Sequence, residues 1–347
     1  MSYIRERNSN VARHIAKHLG ISFDDTLTDY RTVQSYIVPS KTIQLNEAHR
    51  MGICTVDDFY GGAVRDLLHV SKTVLHNRVG RATDGPAAYS PSFAATVSDI
   101  VLPGFAFFTI KEGYAAFNEL SRRGYLARLK RSDESGGAGQ NVVLGEKHMT
   151  SLLKQIDQIE LRRKGLVLET NLNACRTVSA GIFFVDGQVY SQLACQKDIQ
   201  RGDRTIYGGA VMKICRGGFE NLFRFGSCGE NVELAIRQAR SMHEAMGYFD
   251  PLLSRASYDV LQGETSNGEF LSGVTDITCR LGGSSPAEVL ALDYFRRKPG
   301  AMFVDADVTL DYNPVGVPGQ DDVVFLDQPT LRITAKLLEV DKQAIFY

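Results

Sequence analysis

Two aspartates flanking an Asn-Gly dipeptide are the strongest candidates for chemistry in this sequence. Asn267-Gly268 is typical of a tight hairpin turn, and pairing the strands around it places Asp259 opposite Asp276. Because like charges directly opposite each other destabilise a sheet, the pair needs a cation, and carboxylate pairs suit Mg²⁺ shared with substrate phosphates. Strand alternation adds Thr278 and Arg280 to the same face. The pattern predicts a metal and phosphate platform; the alternative is an exposed hairpin whose acids face solvent.

A lysine before a glycine-rich turn is the second candidate. Lys130 ends a strand-like segment, and Ser135-Gly136-Gly137-Ala138-Gly139-Gln140 follows it. Small residues in a tight turn let backbone N–H groups surround phosphate oxygens, and a lysine adds positive charge. The turn matches neither the phosphate loop that ends in Gly-Lys-Ser/Thr nor the G-x-G-x-x-G dinucleotide turn, so those two nucleotide folds are disfavoured. An ordinary loop between strands is the alternative.

An apolar strand that ends in an acid is the third candidate. The run Leu166-Val167-Leu168-Glu169-Thr170-Asn171-Leu172 is either a core strand that meets the surface or the edge of a binding site. Histidines and cysteines offer no rival site. His14 and His18 lack an H-E-x-x-H context, and Gly226-Ser227-Cys228-Gly229 lacks the spacing of a nucleophile elbow.

The composition is that of an ordinary globular protein. The chain has 347 residues, 44% hydrophobic and 23% charged, which favours two or three packed lobes. Because 39 basic residues balance 40 acidic ones, no overall field attracts nucleic acid or an anionic membrane. The polar start lacks the apolar core of a signal peptide, and the six cysteines form no C-x-x-C pair. We expect a cytoplasmic protein with reduced thiols and no transmembrane segment.

Hydrophobic periodicity predicts an α/β (α+β) protein. Strands and helices alternate between residues 105 and 169, which indicates a compact α/β lobe. Two hairpins follow, at Asp186-Gly187 and at Asn267-Gly268, with a glycine-rich stretch between them. Helices are predicted over 7–19, 64–75, 112–123, 149–163, 231–246 and 286–297, and a last strand over 331–340. Residues 80–91 are predicted to connect two lobes.

The order of these signals resembles the ATP-grasp superfamily. Lys72 precedes Lys130 and its glycine-rich loop, the strand ending in Glu169 follows, and then Asp259 and the acid-x-polar-x-Arg run from Asp276. Further stretches are similar to an uncharacterised bacterial family with an ATP-grasp core, over about residues 30–340: Gly61-Gly62, Val101-Leu102-Pro103-Gly104-Phe105, Tyr207-Gly208-Gly209, Arg216-Gly217-Gly218-Phe219, Tyr258-Asp259-Val260-Leu261-Gln262-Gly263 and Arg280-Leu281-Gly282-Gly283.

The resemblance implies two lobes that clamp ATP, and a role for each candidate. Lys72 and Lys130 would bind the nucleotide phosphates, with Ser135, Gly136, Gly137 and Gly139 in a flexible lid. Glu169 to Leu172 would form the hinge beside adenine. Asp259, Asp276 and Thr278 would hold Mg²⁺, and Arg280 would bind a phosphate or the acyl-phosphate. The usual Glu-x-Asn-x-Arg run reads Asp276-Ile277-Thr278-Cys279-Arg280 here, so the metal geometry differs or only one ion binds tightly.

The implied domains are an N-terminal pre-ATP-grasp domain and linker (1–104), a small lid lobe (105–187) and a C-terminal catalytic lobe (188–347). The resemblance implies an ATP- and Mg²⁺-dependent ligase that joins a small-molecule carboxylate to an amine through an acyl-phosphate. A kinase, a ligase with another nucleophile and a non-catalytic nucleotide-binding regulator are the alternatives. Arg216, which we also predict to be catalytic, Tyr207 and Lys213 are candidates on the acceptor side, with ordinary loop or surface roles as the alternative. A homodimer is a further expectation.

Overall fold

Three sheets organise the computed structural model, which describes residues 2–26, 35–80, 85–132, 139–201, 204–225 and 229–338. The N-terminal part contains helix α1 (Ser2–Leu19), strand β1 (Ile43–Gln44), helix α2 (Leu45–Arg50), strand β2 (Gly62–Val64) and helix α3 (Pro91–Thr96). The predicted first helix is present, and Gly20 follows it with φ +70°, a conformation that glycine adopts easily.

A four-stranded antiparallel sheet forms the next part of the chain. Its elements are β3 (Gly104–Phe107), α4 (Ile110–Arg122), β4 (Ala127–Arg131), β5 (Gln140–Val143), α5 (Glu146–Lys154), α6 (Gln158–Lys164) and β6 (Leu166–Thr170). The strand order is β3-β6-β4-β5. Apolar residues of α4, α5 and the strands form a separate core for this small lobe.

An eight-stranded antiparallel sheet dominates the rest. The elements of this part of the chain are β7 (Asn173–Val185), β8 (Gln188–Arg201), β9 (Arg204–Arg216), α7 (Phe219–Phe225), α8 (Glu230–Met246), β10 (Leu252–Leu253), β11 (Arg255–Glu264), β12 (Phe270–Thr278), α9 (Ser285–Arg297), β13 (Phe303–Tyr312), β14 (Val323–Gln328) and β15 (Leu331–Leu338). The strand order is β12-β11-β7-β8-β9-β13-β15-β14, and β10 instead completes a small sheet with β1 and β2.

Helices cover both faces of the large sheet. Helices α7 and α8 pack on one face, where Val178, Ala180 and Tyr258 are buried. Helices α1 and α9 pack on the other, and Val11 and Ile15 of α1 are buried in that core. The N-terminal helix is thus part of the large lobe, although it lies far from that lobe in the sequence.

Two predicted helices are wrong. Residues 64–75 hold the end of β2 and two short 3₁₀ helices, Leu67–Val70 and Lys72–Leu75, because the Asp66 side chain accepts a hydrogen bond from the Leu68 N–H and starts a new turn. Residues 149–163 are divided between α5 and α6, because Asp157 caps the second helix by accepting from Ile159 and Glu160. The glycine-rich middle stretch is mostly strand β9.

The change from the small sheet to the large one falls between Thr170 and Asn173. Strand β7 (Asn173–Val185) pairs with β8 and β11. This strand precedes the predicted domain boundary at 187 and lies in the large sheet. None of the described helices combines the length and apolar character needed to cross a membrane.

Candidate functional site

Asp259 and Asp276 lie directly opposite each other on β11 and β12, as the sequence predicts. Ser257 is likewise paired with Thr278, so Asp276 and Thr278 lie on one face. That face lines a cleft of about 320 Å³ that also includes Arg280. The sheet therefore holds two carboxylates, a hydroxyl and a guanidinium around one cavity.

The turn that produces this register differs from the predicted two-residue turn. Thr265 donates its N–H to Glu269, and Gly268 takes φ +80°, which makes a three-residue loop. This loop shifts the strand pairing by one residue relative to the predicted register. A bulge at Thr275 then restores the predicted pairing of Asp259 with Asp276. Without that bulge, Asp276 would face the opposite side of the sheet.

Hydrogen bonds hold Asp259 in place. The Ser179 hydroxyl donates to Asp259 Oδ1 at 2.6 Å, and Gln196 Nε2 donates to Ser179 Oγ at 3.0 Å. Burial raises the pKa of Asp259, and the neighbouring Asp276 raises it further. A nearby cation would stabilise the charged form of a carboxylate held in this way.

Lys72 supplies a cation to the pair. Its Nζ atom lies 2.8 Å from Asp276 Oδ2, and the lysine side chain is only 7% exposed. The backbone N–H of Lys72 also donates to the carbonyl of Ser132, just after β4. The 3₁₀ helix Lys72–Leu75 thus connects the acid pair to the small lobe.

Lys130 and Glu169 form a second buried ion pair. His76 Nε2 lies 3.2 Å from the other oxygen of Glu169. Burial by itself would raise the pKa of Glu169, but Lys130 and His76 together hold it below its ordinary value of 4.5. Because His76 follows Lys72 by four residues, one short segment contacts both the acid pair and the Lys130–Glu169 pair.

Hydrogen bonds from Arg255 hold the backbone of the loop that carries Arg280. Arg255 Nη1 donates to the carbonyls of Thr278 and Arg280, at 3.2 and 2.8 Å. Its other nitrogens donate to both oxygens of Glu288, at 3.0 and 2.8 Å, and the Tyr60 hydroxyl donates to the same carboxylate. Burial would raise the pKa of Glu288, but Arg255 lowers it. The buried network orients the backbone beside Arg280.

Of the three acceptor-side candidates, Tyr207 lies in the cleft, whereas Arg216 and Lys213 do not line it. Tyr207 lines the cleft, and burial raises its pKa well above the ordinary value. Arg216 is not among the cleft residues, because Nε and Nη2 donate to the carbonyls of Ala301 and Phe295. Lys213 is buried against Asp305, 2.6 Å away. Among the described residues, Arg216 and Lys213 therefore hold β9 to its surroundings.

Two of the remaining predicted residues, Leu172 and Gly139, lie at the ends of strands of the small lobe. Leu172 is buried between β6 and β7, three residues after Glu169. Gly139 directly precedes β5 and has φ +64°. Ser135, Gly136 and Gly137 lie outside the described residues, so their lid role stays a prediction.

Several residues at the site are not predicted from the sequence, among them Arg7, His76, Ser179, Gln196 and Arg255. The spacing of His76 from Lys72 was a weak signal for that residue. Ser179 shares a face with Asp259 through the pairing of β7 with β11. That pairing joins strands about 80 residues apart, and no local pattern reveals it.

The donor set suits a hard cation that also binds phosphate. Among the described residues, no group of three or more His, Cys, Asp and Glu side chains is placed to hold a metal ion. Two carboxylates on one face nevertheless fit Mg²⁺, which keeps several water ligands and is commonly bound by one or two carboxylates with phosphate oxygens. A site for an ion enclosed by protein ligands alone does not fit these residues.

A second cavity, of about 920 Å³, lies between the N-terminal part and the small lobe. Leu68, Phe108, Thr109 and Lys164 are among its lining residues. Neither Asp259 nor Asp276 borders it. We therefore place the candidate site at the smaller cleft, where the acids and Arg280 meet.

Several solved structures are similar to this chain at low sequence identity. A biotin carboxylase–β,γ-ATP complex from Campylobacter jejuni has a TM-score of 0.52 at 11% identity, covering 84% of this chain and 67% of that chain. N5-carboxyaminoimidazole synthetase from Staphylococcus aureus gives 0.45 at 12% identity, covering 77% and 69%. Phosphoribosylglycinamide synthetase from Anaerococcus prevotii gives 0.40 at 10% identity, covering 72% and 68%. The likeness to the biotin carboxylase confirms the predicted ATP-grasp fold.

No curated protein matches the sequence. One family profile does, over residues 3–335, which is nearly the whole chain. With its fold of the ATP-grasp type, the chain belongs to the family described as "Protein of unknown function (DUF3182)".

Proposed function

We propose that this chain is an ATP-dependent ligase that joins a carboxylate to an amine on a small molecule, through an acyl-phosphate. The observation that carries the proposal is the opposed pair Asp259 and Asp276, with Lys72 on Asp276 and Arg280 lining the same cleft. Two acids forced together within a sheet oppose stability, which points to a role in binding a cation.

The same residues suit a nucleotide with its metal. Asp259 and Asp276 would hold Mg²⁺, with the Thr278 hydroxyl beside them, while Lys72 and Lys130 would bind phosphate oxygens. When bound, Mg²⁺ and ATP would supply the phosphoryl group and the neutralising charge. Residues Glu169 to Leu172 are proposed as the hinge beside adenine, and Ser135 to Gly139 as the lid. The ATP analogue in the Campylobacter jejuni relative supports a nucleotide role for this fold.

Phosphoryl transfer to a carboxylate places several negative charges close together. Fixed cations that surround the transferred group lower its barrier, because they stabilise charge that develops in the transition state. Arg280 lines the cleft with the acid pair, and Arg255 holds its backbone in place. We assign Arg280 to the transferred phosphate or to the carboxylate that receives it.

Release of ADP tests the proposal. Wild type and Asp276→Asn are compared with Mg²⁺ and ATP across a panel of amino acids and small carboxylic acids, with and without an amine. Stimulation by one acid in the wild type, lost in the variant, supports the proposal, and the product mass separates a ligase from a kinase. If ATP does not bind the wild type at all, the proposal is wrong.

A further inference from the structure

The first helix contributes an arginine to the cleft of the candidate site. Arg7 lines the cleft together with Arg280, while Val11 and Ile15, one and two turns later on α1, are buried in the core of the large lobe. Helix α1 is also tied to β14, since Asn10 Nδ2 donates to the carbonyl of Phe325 at 2.9 Å. The position of Arg7 is therefore fixed by a docked helix.

Arg7 is held on one side only. Its Nε and Nη2 atoms donate to Asn8 Oδ1, at 3.1 and 2.8 Å, and this neutral amide carries no compensating charge. Across the described ranges of the chain, no carboxylate forms an ion pair with Arg7 or Arg280. The Nη1 atom of Arg7 has no hydrogen-bond partner in that same part of the chain.

Other positive charges lie near Arg7 in the cleft. Arg255 also lines the cleft, but Glu288 neutralises it. Burial lowers the pKa of Arg7, and repulsion from Arg280 and Arg255 lowers it further. Partly buried guanidinium groups without a counter-ion are unfavourable, and a bound oxyanion would relieve them, since arginine binds carboxylate and phosphate in a bidentate manner.

The cleft is lined by charges of both signs. Asp259 and Asp276 line it, and so do Arg7 and Arg280. Tyr207 and the apolar side chains of Leu310 and Ile333 are also among its lining residues. Its volume of about 320 Å³ suits a small molecule that contacts both the acid pair and the arginines.

We propose that the substrate carries, besides the group that reacts, a second oxyanion that binds to Arg7 of the N-terminal helix. The inference rests on the proposed function, because it describes the substrate of that same site. The oxyanion is a carboxylate or a phosphate, two sources that share the same chemistry of recognition. Arg7 is then a residue that determines specificity, contributed by a helix outside the three sheets.

Calorimetric titration without nucleotide tests the proposal with succinate, inorganic phosphate and, as a monoanionic control, butyrate. Arg7→Gln removes the charge but keeps most of the side-chain stem. Arg5→Gln is the matched control, because Arg5 is exposed two residues earlier on the same helix. We expect succinate or phosphate to bind the wild type, and Arg7→Gln to weaken that binding about tenfold or more.

The controls make each result decisive. Arg5→Gln should bind as the wild type does, and Arg7→Lys should bind more tightly than Arg7→Gln; thermal unfolding of each variant shows that it is folded. Preference for succinate identifies a dicarboxylate, and preference for phosphate identifies a phosphorylated substrate. The proposal is overturned if neither probe binds the wild type, if butyrate binds equally well, or if Arg5→Gln and Arg7→Gln lose affinity equally.

ATP binding is measured separately on the same samples. Anion binding that depends on Arg7, together with no ATP binding, would reject the proposed ligase function but keep the oxyanion site. ATP binding without any effect of Arg7 on the anions would reject the oxyanion site alone.

Discussion

Lys72 and Asp276 form an ion pair of 2.8 Å between a short 3₁₀ helix and the β11–β12 hairpin at one edge of the large sheet. The lysine lies close enough to offset part of the repulsion between Asp276 and Asp259, which face each other across two strands. A cation that binds the acid pair would share these oxygens with Lys72. The ion pair therefore connects the segment 72–76, and through His76 the small lobe, to the acid pair that we propose as the metal site.

Asp259→Asn is expected to stabilise the protein while it abolishes activity. At pH 7 the variant removes one of two opposed carboxylates, and the gain should be up to about 1 kcal/mol. The asparagine oxygen still accepts the hydrogen bond of Ser179. Urea unfolding of both proteins at several pH values measures the effect.

The pH dependence of this difference has a defined sign. The folded pKa of Asp259 lies above its ordinary value of 3.8, so the folded wild type keeps a proton that the unfolded chain releases. Its charge therefore lowers stability above the folded pKa, and this loss disappears as the pH falls below 3.8. The advantage of Asp259→Asn should shrink in the same way. A variant less stable than the wild type at pH 7 would contradict the account.

Glu288→Gln is expected to destabilise the protein strongly. The change leaves the buried guanidinium of Arg255 without its counter-ion, which typically costs about 3–5 kcal/mol. Because the folded pKa of Glu288 is lowered, its contribution is present above its ordinary pKa of 4.5 and is lost as the pH falls through the folded pKa. The difference between wild type and variant in chemical unfolding should therefore decrease below about pH 4.5.

Glu244→Gln is the matched control for this variant. Glu244 pairs with Arg240 on the exposed face of α8, so its loss should change stability by less than about 1 kcal/mol. Similar effects of the two changes would mean that the Arg255–Glu288 pair does not support the loop of Arg280.

Arg216→Ala is expected to affect stability and not turnover. Its guanidinium satisfies the carbonyls of Phe295 and Ala301, so the loss should be about 1–3 kcal/mol. Arg280→Ala should instead lower ATP turnover by roughly a hundredfold or more, as removal of a charge-stabilising group does. Steady-state kinetics and thermal unfolding of both variants separate the two roles. Loss of turnover in folded Arg216→Ala would contradict this expectation and support the catalytic role predicted from the sequence.

Lys130→Met is expected to weaken ATP binding about tenfold or more, because it removes a charged partner of the phosphates. The change also leaves the buried carboxylate of Glu169 without its lysine partner, so stability should fall, and thermal unfolding checks that the variant is folded before its affinity is measured. Lys197→Met is a suitable control, since Lys197 pairs with Asp307 and is not among the cleft residues. Equal ATP affinities of the two variants, measured by calorimetry, would exclude a phosphate role for Lys130.

The sequence predicts the β11–β12 hairpin well, because local turn chemistry and strand alternation determine most of its register. The opposition of Asp259 and Asp276 is correct even though the turn is longer than predicted, since the bulge at Thr275 compensates for it. The helix predicted over 64–75 is wrong, because an apolar period of that length does not distinguish one helix from a strand end and two capped turns.

Other parts of the site depend on contacts between distant segments. Arg7 reaches the cleft because α1 packs on α9 and β14, about 300 residues later in the chain. Arg216 has the same chemistry as Arg280, and only the tertiary structure shows that backbone carbonyls occupy its guanidinium. Such distinctions require long-range packing, which a single sequence does not display.

Calorimetric ATP binding with Mg²⁺ and with EDTA, for wild type and Asp276→Asn, tests whether the acid pair binds the metal. We predict that the wild type binds ATP and that Mg²⁺ strengthens binding, while the variant loses most of the Mg²⁺ effect. Absence of ATP binding to the wild type, or an unchanged Mg²⁺ effect in the variant, would contradict the assignment of Asp259 and Asp276 as the metal site.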